Sequence, residues 1–405
     1  MTFIEDALAH GLRQHRAGKF SEAKSVYELL LSQSHDPRIN GAALSHLARL
    51  HLSEQRFGDA RDAVNRALHI NRDNGTALLT AAQLERQAGH PETALELLQA
   101  RSTHHLPPPL LHEMGRCWHA LGEYRKAFLC FKEAKRRISF EDLDVDRAML
   151  TRYMERLANR YATEETQSWT PTPASDRPDP VFIIGFNESG VNTLGRLLDS
   201  HPGLSLAREI PAMDSARRTL GTSDPDGLQH LDTQAIVQAR AKYFEVMDKV
   251  ISPEAIPVDA LPLNGLALGL IHRLFPNALI LRAIRHPCEA VLQTFFKPYR
   301  LNAVTCHFDR MERTATAMMA TTAVSLQIES ALSMTVHPLR YEEFIADPKS
   351  TVSAVAQGLG LNPDVPVADV PAMSDVAQWP SYRAEMSRWL GPLLSLSEQL
   401  GYPAK

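Results

Sequence analysis

Residues 181–198 read VFIIGFNESGVNTLGRLL. The run VFIIG is short, apolar and closed by a glycine, as in a buried strand, and Leu194, Leu197 and Leu198 then recur at helical spacing before Pro202. Strand, turn and helix follow in that order. Gly185 and Gly190 stand in a G-x4-G frame like that of a P-loop, but Val191 and Asn192 fill the places where a nucleotide triphosphatase carries Lys and Ser/Thr. That enzyme class is disfavoured. The turn still aims backbone N–H groups and a helix N-terminus at one spot, where Ser189, Asn192 and Thr193 can donate hydrogen bonds to an anion. On the loop alone, an anion cradle and a plain packing turn are both open, and Glu188 in its middle is the residue that needs explaining.

Two further strand-and-helix units lie downstream. In NALILRAIRHPCEAVLQTFF (277–296) a strand ends near Arg285 and Pro287 is placed to open a helix. In VHPLRYEEFIADPKSTVSAVAQGLGL (336–361) Asp347 and Pro348 read as N-cap and first helical residue. Strands alternating with helices predict a mostly parallel sheet covered on both faces, with ligands at the carboxyl ends of the strands, near 185 and 285.

The first half repeats itself. GKFSEAKSVYELLL begins at 18, QRFGDARDAVNRAL at 55, GHPETALELLQA at 89 and GEYRKAFLCFKEA at 122. The register residues Ala23, Ala60, Ala94 and Ala127 are 37, 34 and 33 apart, close to the roughly 34-residue period of the tetratricopeptide repeat, whose second helix these units resemble. Leu47, Leu50, Leu52, Met114, Trp118 and Leu121 supply the apolar faces of the first helices, and Pro107, Pro108 and Pro109 punctuate the last two units. Such a stack presents a groove for a protein or peptide, or serves as a spacer. After RYMERLANRYA the sequence turns to TEETQSWTPTPASDRPDP, a linker composition. The expected organisation is therefore α plus α/β: an all-helical repeat solenoid over 1–162, a linker over 163–179, and a P-loop-like α/β domain over 180–405.

Composition narrows the function classes. The chain has 405 residues, a formal net charge of −4 and 44% hydrophobic residues, which suits two globular domains and gives no reason to expect nucleic-acid binding. No window approaches the apolar length of a membrane span, and the first residues lack a signal-peptide pattern, so a cytoplasmic protein is expected. The four cysteines, 117, 130, 288 and 306, show no CxxC spacing, and no HExxH or GxSxG motif is present. Metal and hydrolase readings lack support.

The order of the pieces resembles the sulfotransferases that use 3′-phosphoadenosine 5′-phosphosulfate (PAPS), in particular bacterial members with N-terminal tetratricopeptide repeats. The resemblance runs from 181 to about 400 and rests on PVFIIGFNESGVNTLGRLLDSHPGL (180–204), REIPAM (208–213), DALPLN (259–264), FPNALILRAIRHPCEAVLQTFF (275–296), RYEEFIADP (340–348) and SRWLGPLL (387–394). It implies that the loop holds the phosphosulfate through Gly185, Ser189, Gly190, Asn192 and Thr193, that Arg285 binds the 3′ phosphate, and that Glu209 is the catalytic base. It also exposes departures. Glu188 stands where the family has Arg, Val191 and Asn192 where it has two Thr, Ala260 where it has the Lys of DKMP, Gln293 where it has the Ser partner of Arg285, and His286 where it has Asp. With the Lys absent, Arg208 or His286 is the candidate to stabilise the leaving oxygen; His286 can equally be a helix-terminal residue making a local hydrogen bond. Two like charges about 4 Å apart repel by roughly 4 kcal/mol at an effective dielectric of 20, so Glu188 must turn to solvent, be protonated or pair, with Arg196 or Arg282 as candidates. Two functions lead: sulfuryl transfer from PAPS to a hydroxyl acceptor brought by the repeats, or a scaffold that kept the fold and lost the chemistry; a third, an altered pocket for a different, less anionic ligand or donor, has no positive motif behind it.

Overall fold

The computed structural model describes residues 2–16, 18–100, 106–138, 146–162, 169, 172–221, 225–252, 254–367 and 377–403. The chain divides into two compact units, 1–143 and 144–405.

The first unit is helical: α1 (Thr2–Arg16), α2 (Phe20–Gln33), α3 (Pro37–Ser53), α4 (Phe57–Ile70), α5 (Gly75–Gln87), α6 (Pro91–Gln99), α7 (Pro108–Ala120) and α8 (Tyr124–Arg136). They pair as four hairpins, and the turn inside each closes in the same way. The amides of Gly18, Gln55, Gly89 and Gly122 reach back three residues, and those of Lys19, Arg56, His90 and Glu123 reach back five. This is the double hydrogen bond of a helix end that turns left-handed. The four turn residues have φ of 75°, 60°, 85° and 76°. Five residues later come Ala23, Ala60, Ala94 and Ala127, each with no exposed surface, because only a methyl fits between the packed helices. Pro108 and Pro109 open α7, where their missing N–H groups cost nothing.

The second unit is built on a five-stranded sheet: β1 (Val181–Gly185), β2 (Leu204–Arg208), β3 (Ile256–Ala260), β4 (Leu279–Ile284) and β5 (Val336–Arg340). All neighbouring pairs are parallel, in the order β2-β3-β1-β4-β5. One face buries Phe182, Ile184 and Ile280, the other Val181, Ile183, Leu281 and Ala283, the alternation that the two-residue period of a strand dictates. The covering helices are α9 (Met149–Arg160), α10 (Val191–Leu198), α11 (Ala212–Thr219), α12 (Thr233–Met247), α13 (Leu268–Leu274), α14 (Pro287–Phe296), α15 (Met311–Ala331), α16 (Tyr341–Ala346), α17 (Pro348–Gly358) and α18 (Ser387–Gln399). Asp347 caps α17 through the Ser350 amide at 3.0 Å. After β1 the chain runs to the β2 side, whereas after β4 it runs to β5, so the crevice between the carboxyl ends of β1 and β4 is the topological switch point.

The boundary between units differs from the expected linker. Leu150, Met154 and Leu157 of α9, with Tyr161, are buried in the same core as Phe182, so this helix belongs with the sheet. Of the expected linker, 163–168 and 170–171 lie outside the described residues. Its later part is held to the second unit: Arg240 donates to the carbonyl of Pro173 at 2.7 Å, and Thr172 Oγ1 donates to the carbonyl of Arg273 at 3.1 Å. A polar composition signalled the absence of regular structure there, not freedom from the domain.

Candidate active site

The loop between β1 and α10 is fixed by its two glycines. A Cβ on Gly185 would lie 2.5 Å from Ser189 Oγ and 2.6 Å from the Ala283 carbonyl, and one on Gly190 would lie 2.6 Å from the Tyr341 ring. Gly190 also has φ 102°, which other residues rarely adopt. The loop thus folds tightly onto the ends of β4 and α16.

Glu188 is left-handed as well, at φ 59°. Its carboxylate accepts from Lys297 Nζ at 2.7 Å and from Tyr299 Oη at 2.9 Å. The expected partners Arg196 and Arg282 are not the ones used. Burial and the adjoining Glu188 charge raise the Tyr299 phenol well above its ordinary value, so it stays a donor. Thr294 Oγ1 donates to the Asn187 carbonyl at 3.0 Å, and Arg285 Nη1 donates to the Glu188 carbonyl at 3.4 Å. Side chains from α14 and its two flanks therefore hold the loop tip. Sequence reasoning missed Lys297 and Tyr299, which lie over a hundred residues from Glu188 with no local pattern to mark them.

The remaining expected residues divide into two groups. On the β2 side, Asn192 in the first turn of α10 donates to Glu209 Oε1 at 2.9 Å, so the expected base does meet the loop helix. Glu209 is exposed and has φ 56°. Two of the four described non-glycine residues with positive φ, Glu188 and Glu209, thus flank one helix N-terminus. Strain of this kind gathers at functional sites. Thr193 sits half-buried in the same turn.

On the β4 side, Ser189 is 2% exposed, and its Oγ, folded under the loop, has no hydrogen-bond partner. It lines the crevice at the switch point together with Gly185 and Arg285. Arg285 is buried, stacks 4.5 Å over the Tyr341 ring and lies 3.6 Å from Glu289 Oε1. Glu289 has no exposed surface. Its Oε2 accepts the amides of Gln378 and Trp379, both at 2.7 Å, and its Oε1 accepts from Gln293 Nε2 at 2.8 Å. Gln293 Nε2 also donates to Gln378 Oε1 at 2.9 Å, so the expected partner of Arg285 is spent on bracing Glu289. Burial raises the Glu289 carboxyl, against the opposing pull of Arg285 and these hydrogen bonds.

Two expected features take structural roles here. His286 is the N-cap of α14: its Nδ1 accepts from the Cys288 amide at 3.3 Å, while its ring stacks on Trp379 at 4.9 Å and meets Tyr402 edge-on at 5.2 Å. This is the local hydrogen bond that the sequence left open as the alternative to catalysis. Ala260 is fully buried, and Arg208 is exposed at the end of β2. Beside Ala260, Asp259 is 1% exposed and accepts from Tyr243 Oη at 3.2 Å and Asn264 Nδ2 at 2.9 Å. Burial pushes its carboxyl up to about 7. Cys117 and Cys288 are buried and pushed up to about 12, which leaves them inert at neutral pH. Among the described residues, no helix is long and apolar enough to cross a membrane, and no three His, Cys, Asp or Glu side chains cluster to hold a metal.

With this geometry in hand, comparison with known proteins identifies residues 180–364 as a sulfotransferase-family domain. A protein of Aquifex aeolicus (strain VF5), described as uncharacterized, is 25% identical over 126 residues, 29% of this chain and 17% of that protein. The chain thus spans less than a fifth of that relative's length. Among solved structures, a sulfotransferase from Alicyclobacillus acidocaldarius is 20% identical, with a TM-score of 0.36, covering 56% of this chain and 96% of the other. The sulfotransferase domain of the Synechococcus PCC 7002 olefin synthase is 17% identical, with a TM-score of 0.34, covering 59% and 100%.

Proposed function

We propose that the second unit transfers a sulfuryl group from PAPS to a hydroxyl acceptor. One observation carries this reading above the rest: Glu188, the residue that most opposes an anion in the loop, is paired with Lys297 and hydrogen-bonded by Tyr299, so its charge is answered within the protein. The residues present fit the nucleotide in part. Backbone N–H groups at Gly190, Val191 and Asn192 suit a phosphosulfate, Thr193 adds a hydroxyl in the same turn, and Arg285 beside Tyr341 suits a phosphate next to a base or ribose. PAPS, when bound, supplies the sulfuryl group and a good leaving group.

The chain's own residues position and deprotonate. Glu209 takes the acceptor proton, the acceptor oxygen bonds to sulfur, and the bond from sulfur to the 5′-phosphate oxygen breaks, releasing adenosine 3′,5′-bisphosphate. Asn192 fixes the Glu209 carboxylate through its 2.9 Å hydrogen bond. The first unit, read as tetratricopeptide repeats on its four identical turns and buried alanines, recruits a protein or peptide that carries the acceptor. The reading is checked by following the bisphosphate released from PAPS: Glu209→Gln lowers the rate by about 10²–10⁴ while leaving bisphosphate affinity within twofold. Equal rates in the two proteins would remove Glu209 from the chemistry.

A scaffold is the second reading, and Glu289 favours it. A carboxylate already faces Arg285, and Gln293 is committed to that carboxylate, so the place expected for the 3′ phosphate holds an internal anion.

A further inference from the structure

One row of polar side chains along the first unit has a chemistry that the fold does not use. Within that unit α3 packs on α5 and α5 on α7, while the second helix of each hairpin packs on first helices and scarcely on its own kind, so the first helices form the inner layer of the stack. Arg49, Gln83 and Arg116 lie on α3, α5 and α7, each eleven residues before the register alanine of its repeat, Ala60, Ala94 and Ala127. They therefore occupy one register position, repeated on successive helices. In the first hairpin the equivalent residue is Leu12, so the polar row begins at α3.

At that position each helix is open. Arg49 and Gln83 are half-buried between buried neighbours, and Arg116 is the one exposed residue from Leu110 to Cys117. None of the three has a hydrogen bond or ion pair within the described residues. Desolvation by the surrounding helices lowers the Arg116 guanidinium from its ordinary value even though its side chain is exposed, as happens to a cation in a concavity. No carboxylate is left to answer it. α3 has none, Glu113 of α7 is 1% exposed and accepts from Arg86 Nε at 2.5 Å, and Glu85 of α5 pairs with Arg61 and His90. Packed helices lie about 8–10 Å apart, so Arg49 and Arg116, two helices apart, are separated by about 16–20 Å, the rise of about five or six residues of extended chain.

We propose that this row is the docking surface for an extended acidic peptide, whose two carboxylate side chains, about five or six residues apart, are received by Arg49 and Arg116 while Gln83 bonds the peptide backbone between them. A nucleic acid, with a charge at every nucleotide, would leave most of its phosphates unanswered here. The inference gives a chemistry to the partner that the proposed function has the first unit recruit, and it stands on the first unit alone.

The test uses the full chain and a fluorescein-labelled peptide, Thr-Asp-Thr-Val-Ser-Val-Thr-Asp-Thr, read by fluorescence anisotropy at low salt. Its two Asp stand at the required spacing, and the β-branched residues between them favour an extended chain. Saturable binding is expected, weakened by about tenfold or more when both Asp are replaced by Asn and abolished when both are replaced by Lys. Arg49→Gln and Arg116→Gln each weaken it by about tenfold, and the double variant by about a hundredfold, as independent contacts do. Unfolding transitions stay where they were, because neither side chain is bonded within the fold. Arg66→Gln, at an exposed position on α4, leaves binding within about twofold, since an isolated surface charge this far from the row is screened. Absence of binding, equal affinity for the Asn peptide, a loss with Arg66→Gln as large as with Arg116→Gln, or tighter binding of a thymidine octamer would each overturn the proposal. A parallel titration with adenosine 3′,5′-bisphosphate reports on the second unit: peptide binding without nucleotide binding removes only the sulfotransferase reading, and the reverse removes only this docking surface.

Discussion

Gln55 is the one of the four hairpin turns that does without glycine. It adopts φ 60° where Gly18, Gly89 and Gly122 do so freely, and a side chain in this region costs on the order of 1 kcal/mol. Gln55→Gly therefore raises stability, by up to about 1 kcal/mol after the added freedom of the unfolded glycine is subtracted, readable as a higher denaturant midpoint. Asp259 offers a residue-scale effect of opposite origin. With its folded carboxyl pushed up to about 7, the native state holds a proton that the unfolded chain releases near 4, so stability falls as pH rises through that window and stays lower above it. The slope approaches about 1.4 kcal/mol per pH unit, and Asp259→Asn, whose Oδ1 still accepts from Asn264 while its NH₂ donates to the Tyr243 oxygen, abolishes it. Thermal unfolding from pH 5 to 8 should show the mutant gaining on the wild type as pH increases; parallel curves would place the Asp259 pKa elsewhere. At this scale the sequence was legible where chemistry is local. Gly185, Gly190 and the Asp347 cap announce themselves within a few residues, but Glu188 is answered by Lys297 and Glu289 by Gln378, and long-range pairs leave no periodic trace.

At the scale of elements, β1, β4 and β5 were readable because a strand, a turn signal and a helix followed each other in order. The strands β2 (LSLAR) and β3 (IPVDA) were not: Ser, or Pro and Asp, break their apolar runs and, unlike the equally short β5, neither runs directly into an α-helix. The 3-10 turn Trp379–Tyr382 was equally silent in sequence, yet it is tied to α14 by two amide hydrogen bonds to Glu289. Removing that carboxylate leaves the amides of Gln378 and Trp379 and the Gln293 side chain without acceptors in a buried place. Glu289→Ala should cost about 3–5 kcal/mol, the range for breaking a buried charge pair, and should expose those two amides to hydrogen exchange ahead of the β1 and β4 amides. Exchange of the two turn amides at the same rate as those of β1 and β4 would mean that the turn is held by something other than Glu289.

For the molecule as a whole, four helical hairpins make one unit, and the other is built on a parallel sheet within which residues 180–364 match the sulfotransferase family. The cations around the switch point are answered internally. Lys297 is matched by Glu188, Arg285 by Glu289 and Arg282 by Glu329, so that nucleotide binding must displace or outweigh internal partners. Whether it does decides between enzyme and scaffold. The measurement is calorimetric titration of the full chain with adenosine 3′,5′-bisphosphate, repeated on Arg285→Ala. Sulfuryl transfer from PAPS predicts binding in the micromolar range, weakened at least a hundredfold by the substitution; no heat at millimolar nucleotide, or equal affinity in the variant, would contradict it.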